Sequence, residues 1–280
     1  MSAINYKAIF LGILSALSAL SFSKNSMAQV PGIFGPTDYI NAADELKELY
    51  LFSTNFETAP STQMVGAVNK SSRTHFPTLW GSEFGYSFQI QELTSTQRNA
   101  FEVFGLDPES IPRFLYFHRV FYSLSFSAHS QLSIGATFNL EQKIYGGGFE
   151  YQKKIFDFNF MCTSVKLGAT YGFSPNYFWS YLGSAVATQS IHIGTLELMG
   201  AYQWHYGGVS FVSNEGELNF SNLRYNGFSE GDHNFEVGVR LPFSISHSSI
   251  SAVARFGVRP AIYLQFTFRK PTHHISGYTR

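Results

Sequence analysis

His247 and Ser249 stand two residues apart on one parity of a strand-like segment, a spacing that lets an imidazole take a proton from a hydroxyl nucleophile. A second pair, His129 and Ser130, is adjacent in a stretch that reads as a hairpin turn, where a solvated loop accounts for both. The larger set of candidates is charged. Glu83, Glu150, Lys166, Glu197, Glu236, Arg240, Arg255 and Arg259 fall on the polar parity of alternating segments, with Arg113 and Arg119 on a segment that is apolar on both parities. Charges removed from water must be paired or solvated. The set therefore reads either as a salt-bridge network filling an interior or as the lining of a selective path. On the second reading Arg240, Arg255 and Arg259 favour anionic or carboxylate solutes. No metal site and no cofactor are expected. The sequence has no CxxC, HExxH, phosphate-binding loop or dinucleotide fingerprint, and the tail pair His273 and His274 reads as solvated. Gly146-Gly147-Gly148 lies within a strand segment, where glycine makes room or a bend.

The elements that must position these residues alternate with period two. From Trp80 to Gln91 the even positions are Trp80, Ser82, Phe84, Tyr86, Phe88 and Ile90, and the odd ones are Gly or polar. The pattern recurs over 132–140, 194–206 and 234–243, with Met199 the one exception in the third copy. Residues 113–126 differ. Leu115, Phe117 and Phe121 put apolar groups on the parity that is polar elsewhere, as for a strand that packs something inside. Segments 144–153, 155–173 and 177–189 also read as strands, with a parity switch near Cys162 that implies a bulge or turn. Ile250 to Phe268 holds one parity throughout. A two-residue hairpin at Arg259-Pro260 would reverse it, so one long strand or a longer loop is predicted. Nine segments are clear and ten strands are expected, with 8 or 12 open. Residues 62–69 and 209–213 are the candidates for the tenth.

Composition narrows the setting. Charged residues make up 14% of the 280 against roughly 25% in an average soluble domain, while aromatics reach 17% with 29 Phe and 16 Tyr. Mean hydropathy is −0.05, and beyond residue 28 no apolar run of about 18 residues exists. These features exclude a polytopic helical membrane protein. The 19 basic and 19 acidic residues balance, with no basic block of more than two, so nucleic acid is not an expected partner. Segments of ten or more residues suit a tilted strand crossing a bilayer, whereas strands of a soluble sandwich average about 5–6.

Residues 1–28 read as a secretory signal, with Lys7, an apolar run from Ala8 to Phe22, and Ser26-Met27-Ala28 before a cleavage site at Gln29. The single Cys162 cannot form an internal disulfide. Signal, dyad segments and a strand ending in Phe268 together resemble the bacterial outer-membrane β-barrel proteins as a broad class, over most of residues 58–268. The resemblance implies an all-β antiparallel transmembrane barrel of about ten strands in the cell outer membrane. Its implied partners are outer-membrane lipids and lipopolysaccharide, the barrel-assembly machinery and small solutes. A narrow channel or transporter is the expected role, against a structural or surface-binding barrel. The His247–Ser249 spacing is similar to that in outer-membrane phospholipases, but the Gly and Asn pattern around that family's site is missing and the parity aims both residues at the lumen.

Other pieces flank the strands. Residues 37–50 read as a helix, with Thr37 or Asp38 as N-cap, within a segment 29–57 that either plugs the lumen from the periplasmic side or rests on the rim. Residues 95–104 predict a second short helix in a long loop, 207–233 another loop, and 269–280 a polar tail.

Overall fold

The computed structural model describes residues 36–62, 81–103, 111–127, 129–158, 160–175, 178–211, 220–226, 233–243, 248–257 and 260–269. The alternating segments form strands β1 (Gly81–Glu92), β2 (Phe114–Ser127), β3 (Ser130–Asn139), β4 (Ile144–Asp157), β5 (Met161–Ser174), β6 (Phe178–Ile193), β7 (Leu196–Phe211), β8 (Phe220–Asn226), β9 (Asn234–Phe243), β10 (Ser248–Phe256) and β11 (Ala261–Arg269). Each pairs antiparallel with its neighbours, and β1 pairs with both β2 and β11, so the sheet closes on itself. Ten strands make the ring. The short β8 lies beside the far end of β7, at Tyr206–Phe211, while β9 pairs with β7 over Glu197–Gln203.

Closure gives every strand one face toward a lumen and one toward the surroundings, and the period-two sequence fills the two faces differently. Val237 (58% exposed), Ile262 (61%), Leu167 and Phe149 point outward, while Ser87, Arg119 and Glu197 point inward and are fully buried. An apolar exterior around a polar interior is the reverse of a soluble sandwich and matches a barrel immersed in lipid.

Three elements differ in detail from expectation. The tenth strand comes from neither candidate segment. Residues 209–211 belong to β7, residue 62 is not in a strand, and 63–69 lie outside the described residues. It comes from 250–268, which divides into β10 and β11 at a longer loop. Arg255 pairs with Ala261, and the five residues between them, an odd number, leave parity unchanged. The run 155–173 likewise divides: its first residues complete β4, and Phe158 N donates to Met161 O at 2.8 Å across the turn to β5. The 207–233 loop contains the end of β7 and β8.

The strand ends joined by the two longest connections, Glu92 to Phe114 and Phe211 to Asn234, lie at one end of the barrel, and Ser127 to Ser130, Asp157 to Met161 and Ile193 to Leu196 lie at the other. Helix α1 (Pro36–Ser53) packs at the long-loop end. Ala43, Leu46, Leu49 and Phe52 are buried there with Leu115 and Phe117 of β2, Ile144, Phe178 and Val209. Leu115 and Phe117 thus account for the doubly apolar β2. Tyr50 lies against Phe178 at 4.2 Å between ring centroids and against Phe211 at 5.6 Å. Helix α2 (Ser95–Val103) lies in the β1–β2 connection and packs on α1. Thr94 and Gln97 cap it reciprocally: Gln97 N donates to Thr94 Oγ1 at 3.2 Å and Thr94 N to Gln97 Oε1 at 3.1 Å. Helix α1 lies at this mouth because the inward-facing apolar side chains that can bury its apolar face are there.

Candidate functional site

After α1 the chain enters the barrel, and residues 54–62 run along the lumen toward the short-turn end. Thr54 shares a hydrogen bond with Ser180 at 3.2 Å and donates to Tyr50 O at 3.0 Å. Glycine makes its passage. A Cβ on Gly172 would lie 2.3 Å from Thr54 Cβ, and one on Gly146 would lie 2.5 Å from Thr54 O, so side chains there would exclude the segment. Asn55 O accepts from Arg119 Nε at 3.0 Å, and Phe56 N donates to Thr170 Oγ1 at 3.1 Å. The Phe56 ring sits 6.3 Å from that of Phe121, the third inward-facing apolar residue of β2.

Below this point the contacts are charged. Glu57 accepts from His205 Nε2 at 3.0 Å and is paired with Arg255. Thr58 N donates to Glu150 at 2.9 Å, and Lys166 Nζ donates to Thr58 O at 3.1 Å and Ala59 O at 2.8 Å. Ala59 N donates to Gln265 Oε1 at 2.7 Å. Ser61 Oγ donates to Glu197 at 2.7 Å and accepts from Arg240 Nη1 at 2.7 Å, while Thr62 N donates to Glu197 at 2.8 Å. Thr62 and Ser190 hydroxyls meet at the lower end.

The described lumen candidates converge in three ion pairs. Lys166 pairs with Glu150 at 2.8 Å, Arg240 with Glu83 at 3.5 Å, and Arg255 with Glu236 at 2.8 Å. Tyr263 adds a 2.9 Å hydrogen bond to Glu236. Glu197 is held by Ser61 and Thr62 of the threading segment. Arg119 is fully buried, and among the described residues its Nη1 and Nη2 have no hydrogen-bond partner. Arg113 is not in the lumen but at the rim, exposed and paired with Glu92 at 2.7 Å. Arg259, His247, His273 and His274 lie outside the described residues. Ser249 is buried on the lumen side, sharing hydrogen bonds with Arg240 Nε at 2.8 Å and Thr267 at 2.6 Å. His129 is exposed in the β2–β3 turn beside Ser130, the first residue of β3.

Sequence reasoning missed the two groups that complete this interior. His205 was legible as an inward position between outward Trp204 and Tyr206, but a lone histidine on a polar face gives no further signal. Glu57 lies outside any strand, so period two says nothing about it.

A closed antiparallel ring with an apolar exterior, a polar interior and its two longest connections at one end defines the chain as a transmembrane β-barrel of the bacterial outer-membrane type. No family model matches it, and no curated protein does. Among solved structures it is similar to an outer-membrane channel from Pseudomonas putida F1, at 7% identity and TM-score 0.39, covering 72% of this chain and 100% of that one. It is similar to an outer-membrane protein of Acinetobacter baumannii at 10% identity and TM-score 0.32, covering 68% and 98%. The outer-membrane protease OmpT of Escherichia coli matches at 7% identity and TM-score 0.33, covering 72% and 97%. Such distant likenesses, spread over a channel and a protease, carry no assignment of function.

Proposed function

We propose that the protein is a narrow outer-membrane channel for small solutes, closed by its own residues 54–62. The observation that carries this reading is the chemistry of the contact between segment and wall. Apart from Phe56 against Phe121 and Ala59 against Met199, Val253 and Tyr263, that contact consists of hydroxyls, amides, backbone groups and ion pairs, each of which water can replace. Withdrawing the segment leaves Lys166–Glu150, Arg240–Glu83 and Arg255–Glu236 paired along the wall and Arg119 without the Glu57 carboxylate near it. Barrels of about 8 strands are filled by side chains and wide aqueous channels come at about 16, so ten strands favour a narrow bore. By the loop rule for such barrels, α1 and α2 cap the extracellular mouth and the outward apolar band meets membrane lipid and lipopolysaccharide. No catalytic role is proposed for Ser249, whose hydroxyl faces the lumen and is engaged with Arg240 and Thr267.

Single-channel conductance in a planar bilayer tests the reading, comparing the full chain with a variant lacking residues 36–62. Rare, small steps from the first and frequent, larger steps from the second are expected. Silence from both would leave a structural or surface-binding barrel as the better account.

A further inference from the structure

Glu57 is the one carboxylate that the threading segment brings into the lumen, and three strands of the wall converge on it. His205 of β7 donates Nε2–H to Oε1 at 3.0 Å. Arg255 of β10 donates Nη2–H to Oε2, while its Nε is committed to Glu236 at 3.0 Å. Arg119 of β2 lies within electrostatic reach of Glu57 and Arg255, holds Asn55 O through Nε alone, and presents two fully buried Nη groups that no described residue engages. Side chains next to it in the sheet are similarly uncommitted. Ser87 is directly opposite Arg119 in the β1–β2 register, and neither its hydroxyl nor the Gln89 amide two residues on has a described partner.

A buried guanidinium with two idle N–H edges is costly unless an anion or water completes it. Counting the carboxylates and guanidiniums at this point, Glu57 and Glu236 balance Arg119 and Arg255; without Glu57 the wall carries one positive charge in excess. We propose that Arg119, His205 and Arg255 form a binding site for the carboxylate of a small solute, and that Glu57 occupies it as an internal surrogate. A carboxylate entering from solution would take over the bonds from His205 and Arg255 and add those of Arg119. In doing so it would release the segment that blocks its path. The inference deepens the channel reading, on which its transport consequence rests, but the binding site itself does not require transport.

The test separates the two. In full-length Glu57→Ala the wall keeps its donors and loses the surrogate, and acetate is about the size of the group removed. Thermal unfolding of this variant in detergent is measured with sodium acetate, with sodium chloride at equal ionic strength, and with acetamide. Acetate is expected to raise the midpoint toward that of the unsubstituted protein, with chloride and acetamide without effect. Glu57→Gln, whose amide keeps the space filled, should show no acetate response. Should Glu57→Ala fold poorly in chloride, refolded yield in the same three solutes gives the same comparison, with acetate alone restoring it. An equal response to acetate and chloride overturns the site, as does a variant that folds in none of the three. A selective acetate response in a protein that never conducts keeps the site and removes the channel. Conductance after deletion of residues 36–62, without any acetate response, does the opposite.

Discussion

The two halves of the described N-terminal segment are held by different physics. Helix α1 buries Ala43, Leu46, Leu49 and Phe52 against apolar side chains at the long-loop mouth, while residues 54–62 meet the lumen wall almost entirely through hydrogen bonds and ion pairs. Burial of apolar surface yields about 25 cal/mol per Å² and has no substitute in water. A hydrogen bond nets only about 1 kcal/mol, because water offers nearly the same bond when it breaks. On the proposed channel reading the helix is the anchor, and the segment below it the stopper, whose polar contacts water can replace. Two apolar contacts, Phe56 against Phe121 and Ala59 against Met199, Val253 and Tyr263, interrupt the polar stretch.

The contrast can be broken from either side. Arg255→Leu should have the largest effect, since it leaves Glu57 and Glu236 buried without their cation. A loss of about 3–5 kcal/mol is expected, read as a lowered denaturant midpoint in detergent. A change under about 1 kcal/mol would mean that water already reaches the pair. Leu49→Ala, at a fully buried position, should cost about 2–4 kcal/mol of cap stability. Limited proteolysis should then cut α1 faster while the strands stay protected; equal resistance would show that the cap does not depend on apolar packing. Gly172→Ala sharpens the picture of the stopper. The added methyl meets Thr54 and should cost about 1–3 kcal/mol of segment docking, with the ring of strands intact and conductance increased. The smallest effect belongs to Arg113→Ala at the rim. Its exposed pair with Glu92 is worth at most about 1 kcal/mol, so the unfolding midpoint should scarcely move.

How much of this was legible in the sequence follows from what period two can and cannot encode. It assigned faces along β1, β3, β7 and β9 because lipid on one side and a polar lumen on the other leave little choice for each residue. It also flagged β2, where Leu115, Phe117 and Phe121 showed that something apolar had to lie inside. Parity cannot tell one long strand from two joined by a loop that preserves it, so both stayed open over 250–268 and the tenth strand was sought elsewhere. The inward charges were visible, but not their partners, since Lys166 and Glu150 are joined across strands and Glu57 arrives from a segment with no periodicity. Nor could an amphipathic helix declare which mouth it covers. That depended on apolar residues contributed by β2, β6 and β7, far away in the chain.

The central claim is that residues 54–62 close the lumen and must leave it for the barrel to conduct. Thr54 and Ser180 offer the direct test, because their hydroxyl oxygens are 3.2 Å apart and join the segment to β6. In a Cys162→Ser background, Thr54→Cys with Ser180→Cys places two thiols there. Conductance of this protein should be absent under oxidising conditions and return when a reductant breaks the disulfide, with each single-cysteine variant indifferent to both. Steps that persist through the oxidised, cross-linked state would contradict the account, since ions would then be passing a stopper that cannot move.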